Sequence, residues 1–313
     1  MSIARVLTRR LLAALPLLLA MSVLAFALVA AAPGDPVRTE ALRQGVVLST
    51  ANEAALRVSL GLDGTVVERY VRWLGAAVTG DFGLSIATRR PVMQEIAEHA
   101  GATLALAVAA LALAVPMALA AGLAAALSQN RVVCAAWRLA SVLLVSTPGY
   151  WLALLALYLF AVQLSWTRVI GDGHWSEAVL PALVRALGAA AGSARVVRER
   201  AVQAMCEDPW RGALAQGLAP LHLVATRLLP AVVVPLVPLW AASFGGLLGG
   251  AVIVESVFGW PGLGRLVLQA IAERDLPVLQ AYLCLMGLVF VASNLLADLL
   301  TAWLDPRSAA GAA

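Results

Sequence analysis

The sequence predicts an all-α, polytopic membrane protein of about six transmembrane helices, with an amphipathic helical segment after the first. Three observations carry that fold class. Of 313 residues, 62% are hydrophobic and only 13% charged, with a mean hydropathy of +0.88; soluble domains carry roughly 45–50% apolar and about 25% charged residues. The apolar excess falls in blocks that can cross a bilayer, which takes about 20 residues as a helix. Arginine is unevenly shared among the segments that join those blocks, as expected where basic residues orient spans.

The first block, 11–32, follows Arg5, Arg9 and Arg10. Ala30-Ala31-Ala32 resembles a signal-peptide cleavage site, but the run exceeds the 7–15 residues of a signal's apolar region and Pro33 follows at once. It reads as a retained span, so that residues 1–32 form a cytoplasmic amino end plus the first helix. Residues 33–100 are more polar and read as an external region of short amphipathic helices. Thr50 with Glu53 and Thr65 with Glu68 have capping-box spacing. After Thr65, Val66, Val67, Tyr70, Val71 and Leu74 recur at helical spacing, with Glu68, Arg69 and Arg72 opposite. Tyr70 and Trp73 suit a helix resting on the protein–lipid boundary.

Residues 101–313 read as the core membrane domain, with spans near 102–127, 139–163, 177–194, 230–255 and 278–304. The run at 177–194 is the weakest because it contains Arg185. Counting it makes six spans and returns both termini to the cytoplasm. The segments 1–10, 128–138, 195–229 and 305–313 then hold eleven Arg (5, 9, 10, 131, 138, 195, 198, 200, 211, 227 and 307), against three (168, 265 and 274) in the short external loops. Five spans would reverse that bias. Small residues recur in the spans, and Gly245, Gly246, Gly249 and Gly250 lie on successive helical turns. They suit close helix packing, within the bundle or against a second membrane subunit.

The net charge of +4 comes from Arg alone, as the chain has no Lys. In a membrane protein this is orientation charge rather than nucleic-acid affinity. Cys134, Cys206 and Cys284 form no CxxC pair, which excludes a zinc ribbon and a disulfide framework. His99, His174 and His222 are isolated, Ser85 has no partnered histidine, and no phosphate loop occurs. No catalytic, cofactor or metal site is expected, so any ATP and Mg would belong to a partner. Ionisable groups inside spans are candidates for function. Asn294 and Asp298 share a helical face and, with Glu255, are candidates for a pathway or gate. Arg185 is read as structural.

The stretch near 195–229 has a different character. Glu207 and Asp208 stand at a helix start, Arg211, Ala213 and Ala215 follow, and Gly217 before Leu218 can take the left-handed turn that ends a helix. A short helix followed by a sharp turn can be presented to a groove on another protein.

Taken in order, the motifs resemble the permease subunits of bacterial binding-protein-dependent ABC importers, in the dipeptide/oligopeptide/nickel group. They are Arg9-Arg10-Leu-Leu, Pro33-Gly34-Asp35-Pro36, Leu60-Gly61-Leu62-Asp63, Tyr70-Val-Arg-Trp73-Leu, Gly80-Asp81-Phe82-Gly83-Leu-Ser85 and Arg90-Pro91-Val92. Later come Glu255-Ser-Val-Phe258-Gly-Trp260-Pro261-Gly262-Leu-Gly264-Arg265, Arg274-Asp275-Leu-Pro277-Val, Asn294-Leu-Leu-Ala-Asp298 and Leu304-Asp305-Pro306-Arg307. The resemblance implies that Glu207, Asp208, Arg211, Ala213, Ala215, Gly217 and Leu218 belong to a coupling loop that docks on an ATPase subunit. Here the chain departs from the family pattern at Pro209, Leu214, Gln216 and Thr226-Arg227. The resemblance further implies alternating access, ABC ATPase subunits, a second and different permease, an external solute-binding protein and a place in the bacterial inner membrane. The 81–92 stretch and Gly173-His174-Trp175 look closer to nickel importers than to most peptide importers, so the expected cargo leans to nickel or a metal chelate over a dipeptide, with His174 as a contact. The competing class is an ion-coupled secondary transporter acting without an ATPase, with Asp298 or Glu255 as its coupling site. The absence of repeated halves counts against it.

Overall fold

The computed structural model describes residues 3–31, 37, 41, 45, 50–59, 62–166 and 175–304, and all its regular structure there is helical. The motifs at 33–36, Leu60-Gly61, Gly173-His174 and 305–307 lie outside the described residues. The helices, in chain order, are α1 (Ile3–Ala30), α2 (Thr50–Ser59), α3 (Val66–Val78), α4 (Val92–Leu127), α5 (Arg131–Ser146), α6 (Gly149–Leu157), α7 (Val179–Cys206), α8 (Asp208–Ala215), α9 (Pro220–Leu223), α10 (Leu229–Gly249), α11 (Ala251–Val257), α12 (Leu263–Glu273) and α13 (Leu276–Leu304).

Five helical segments are long and apolar enough to cross a membrane: Leu7–Ala30, Val92–Leu127, Val179–Cys206, Val224–Gly249 and Leu276–Leu304. The sixth expected span, at 139–163, is not one straight helix. It comprises α5 followed by α6 with its π-helical continuation Tyr158–Gln163, bent by 101°. The cause is local: Pro148 has no N–H, and the residue before a proline is pushed out of the helical region. Thr147 accordingly has φ −80° and ψ 122°, and its hydroxyl donates to Leu143 O at 2.7 Å.

Three other expected boundaries shift. The segment 195–206, read as part of a loop, continues α7 without a break to Cys206. The boundary at 100/101 falls inside α4. The span expected at 230–255 ends at Gly249 and resumes as α11 after Gly250. Arg185 meets this break, donating to Gly250 O at 2.7 Å and to Leu247 O, so the carbonyls released there are not left bare.

The chain forms two compact units, one of Met1–Ala14, Glu98–Leu268 and Leu288–Ala313, the other of Leu15–Ala97 and Gln269–Gly287. The core of the first is built from Ala114 and Ala118 of α4, Ala186, Ala190, Ala194, Val197 and Ala201 of α7, and Val232, Leu236 and Trp240 of α10. Alanine and glycine permit this because dispersion, not water exclusion, holds helices together in lipid, and small residues shorten the approach. At Gly122 an added Cβ would lie 2.5 Å from Val197 Cβ. Gly245 packs likewise on Ser293 of α13, whereas Gly246 and Gly249 face open space.

In the second unit, α3 carries a complete capping box: Thr65 N–H donates to Glu68 Oε2 at 2.7 Å, and Glu68 N–H to Thr65 Oγ1 at 3.3 Å. The first expected box involves the side chain of Thr50, which lies outside the described set; α2 starts at Thr50, and Glu53 pairs with Arg57 at 3.0 Å. Asp275 is 2% exposed and accepts from the Ser85 hydroxyl and from the N–H groups of Ile86 and Ala87 at 3.2 and 3.1 Å. The partner of Ser85 is thus an aspartate 190 residues away, and its role is to hold the 83–90 loop.

Candidate coupling site

The stretch after α7 turns sharply because Glu207 takes an extended conformation, φ −77° and ψ 153°, and its carbonyl accepts from Trp210 N and Arg211 N at 3.2 and 3.3 Å. Glu207 therefore opens α8, and Asp208 lies in the first turn, where a carboxylate favours the exposed N–H groups. Pro209 costs nothing there, since its missing N–H belongs to the set that has no intrahelical acceptor.

The far end of α8 is a left-handed cap. Gly217 has φ +76°, and Leu218 N–H reaches back to Ala213 O at 3.4 Å, the six-to-one bond of a Schellman motif. Between the two ends α8 is two-sided. Trp210 and Ala213 are buried and join the core formed by Val197, Ala201, Leu223 and Leu228. Glu207, Asp208, Arg211, Gly212, Gln216, Gly217 and Leu218 are exposed. Ala215 ends the helix, and its side chain lies outside the described set. The arrangement seats a short helix by one face and leaves a face with both charge signs, plus a sharp turn, available to another protein. Trp210 was not marked by sequence reasoning as part of the site. Its signal was present, because Trp210 and Ala213, three residues apart, share a face away from Asp208 and Arg211.

The pathway candidates are not brought together with this stretch. Asp298 pairs with Arg10 at 2.8 Å, and Asn294 donates to Phe290 O of its own helix at 2.8 Å. Glu255 is fully buried and its Oε2 accepts from Gly264 N–H at 2.7 Å, at the start of α12. Nearby, Leu263 N–H donates to Thr103 Oγ1 at 2.7 Å, and Trp260 Nε1–H to Ala102 O at 2.9 Å. These bonds close the Gly-Trp-Pro-Gly turn onto α4. A Cβ at Gly262 would strike the Glu255 carboxylate, and one at Gly264 would strike the Val252 backbone as well. Among the described residues no group of three His, Cys, Asp or Glu could hold a metal ion. His174 is outside them.

Comparison with known proteins agrees with this architecture. Residues 118–309 match the family described as the inner membrane component of binding-protein-dependent transport systems, and residues 3–107 match the corresponding N-terminal family. The glutathione transport system permease protein GsiC of Escherichia coli (strain K12) is 38% identical over 303 residues, 95% of this chain and 96% of the relative. The GsiC protein of Shigella flexneri serotype 5b is 37% identical over the same shares. The inward-facing MetNI methionine ABC transporter is similar in fold at 18% identity, with a TM-score of 0.57 over 68% of this chain and 97% of that one. The chain belongs to the binding-protein-dependent transport system inner membrane component family, and is a multi-pass permease component of an ABC importer.

Proposed function

We propose that this permease passes a small peptide or peptide-like solute from an external binding protein into the cytoplasm, driven by ATP hydrolysis in separate subunits. The observation that carries the reading is similarity along 95% of the chain to permeases named for glutathione transport. It favours a peptide cargo over the nickel chelate suggested by the 81–92 stretch.

In this reading α8 is the coupling helix. Asp208 and Arg211 meet the ATPase, and the Gly217 turn fixes the exit direction of the chain. Trp210 transmits displacement of α8 to α7 through the core it shares with Val197 and Ala201. Coupling then requires only that the ATPase bind one arrangement of α8 more tightly than another. Both termini lie on the cytoplasmic side of the inner membrane. A second, different permease completes the pathway, and Gly246 and Gly249 offer it a surface free of side chains.

The test is reconstitution in proteoliposomes with the partner permease, ATPases and binding protein, comparing uptake of reduced glutathione, a dipeptide and a nickel chelate. ATP-dependent uptake of a peptide is expected. ATP-dependent uptake of the nickel chelate alone would overturn the cargo while leaving the permease reading intact. Uptake driven by an ion gradient without ATPases would overturn the coupling reading.

A further inference from the structure

The second unit contains a helix whose apolar surface is only half used. At 100° per residue, Val66, Tyr70, Trp73 and Ala77 of α3 fall on one arc, and Val67, Val71, Leu74 and Val78 fall on the adjoining arc, about 60° wide. The first arc packs on α1. Phe26 lies 5.4 Å from the Tyr70 ring and 5.8 Å from the Trp73 ring, and Ser22 and Tyr70 share a hydrogen bond of 2.8 Å. The aromatic pair expected at a protein–lipid boundary has the first span as its protein side. On the second arc Leu74 is half-buried, whereas Val67, Val71 and Val78 are 70%, 61% and 80% exposed. The opposite side is polar and internally tied, with Glu68 in the capping box and Arg72 bonded to Asp63 at 2.9 Å.

We propose that α3 is an interfacial membrane helix whose Val67–Val71–Val78 stripe rests in the lipid at the carboxyl end of α1. Two arguments select lipid over a protein partner. The first is length. The span Leu7–Ala30 has 24 residues, about 36 Å of helix against a hydrocarbon core of about 30 Å. Phe26 stands one helical turn before the end of that span, so the anchor for α3 lies near the edge of the hydrocarbon. The second is continuity. Beside the anchor α1 exposes Val23, Leu24 and Leu28, a surface that in a span faces acyl chains. In this placement the valine stripe would share the lipid met by those α1 residues, while Arg72 and Glu68 stay toward headgroups and water. Lying flat, α3 would brace the end of α1 against tilting.

Two measurements on the full chain, assembled with its partner subunits in nanodiscs, test this. A carbene-generating photolabel dissolved in the bilayer should modify Val67, Val71 and Val78 in the unaltered protein and spare Gly75 and Ala76, as read by mass spectrometry. Nitroxide labels at Val67, Val71 and Val78 should then relax more with oxygen than with an aqueous nickel chelate, and labels at Gly75 and Ala76 the reverse. Chelate-dominated relaxation at the three valines would place them in water and overturn the proposal. Absence of photolabelling, together with protection from both relaxants, would mean that a protein covers the stripe and would overturn it equally.

Discussion

Replacing Trp210 with Ala removes the largest anchor that the described side chains give α8. Trp210 is 9% exposed and Ala213 7%, and the other described α8 side chains face outward. A buried Trp covers about 150–250 Å², and Trp→Ala substitutions in packed cores cost about 3–5 kcal/mol. The methyl of Ala213 supplies under about 1 kcal/mol, and an eight-residue helix has little stability of its own. Tenfold in population corresponds to about 1.4 kcal/mol. Trp210→Ala therefore lowers the seated population of α8 relative to the unseated by a factor of roughly 100 to 4,000. The assay is hydrogen exchange of the 207–218 peptide in the assembled transporter, alongside ATP-driven uptake. Exchange should rise strongly in that peptide, remain unchanged in α4 and α10, and accompany loss of uptake with ATP hydrolysis retained. Trp210→Phe, which keeps an aromatic anchor, should recover most of both signals. If Trp210→Ala left exchange at 207–218 unchanged, the single-anchor reasoning would be refuted.

Three further outcomes are expected. Gly217→Val meets open space but forces a β-branched residue to φ +76°, costing about 1–2 kcal/mol; uptake should fall severalfold while detergent-extracted yield stays at wild-type level. Gly264→Ala places a Cβ 2.8 Å from both Val252 N and Glu255 Oε2, and since backbone cannot yield cheaply, melting of the assembled transporter should drop by several degrees. Acidification should loosen α3: Arg72 beside Asp63, and the Thr65 N–H on Glu68, hold both carboxyls below their usual range. Groups with depressed values contribute stability above about pH 4 and lose it as pH falls through the lowered value. A nitroxide at Gly75 should thus be immobile at neutral pH and become mobile below pH about 4.

The membrane class was legible because apolar block length depends on local composition alone, and the Thr65 capping box because its partners are three residues apart. The break at Pro148 was also local, though the apolar run masked it. The extension of α7 to Cys206 was missed because its last turns are polar, and polarity was read as loop. Its buried side chains there, Val197 and Ala201, are small and join a core shared with α4 and α8, neighbours no periodicity argument supplies. Ser85 with Asp275, Arg185 with Gly250, and Arg10 with Asp298 join residues 65 to 288 positions apart. Only the folded chain pairs them.

The polar residues set in apolar sequence share one property that bears on mechanism. Thr147 covers a carbonyl at the bend between α5 and α6, Arg185 covers two at the Gly250 break, and Glu255 takes an N–H at the start of α12. Each stands where a helix ends or kinks within an apolar stretch, and each binds a backbone group that lipid cannot satisfy. Asn294 also bonds a carbonyl of its own helix, and Asp298 pairs with Arg10 at 27% exposure, so neither is a bare polar group aimed into the bundle. An ion relay needs groups whose partners are exchangeable ions or one another. Glu255 Oε1 is buried without a hydrogen-bond partner, but the bonds of Thr147 and Arg185 to backbone at breaks let short helices hold defined angles. That suits the mechanical coupling proposed at α8.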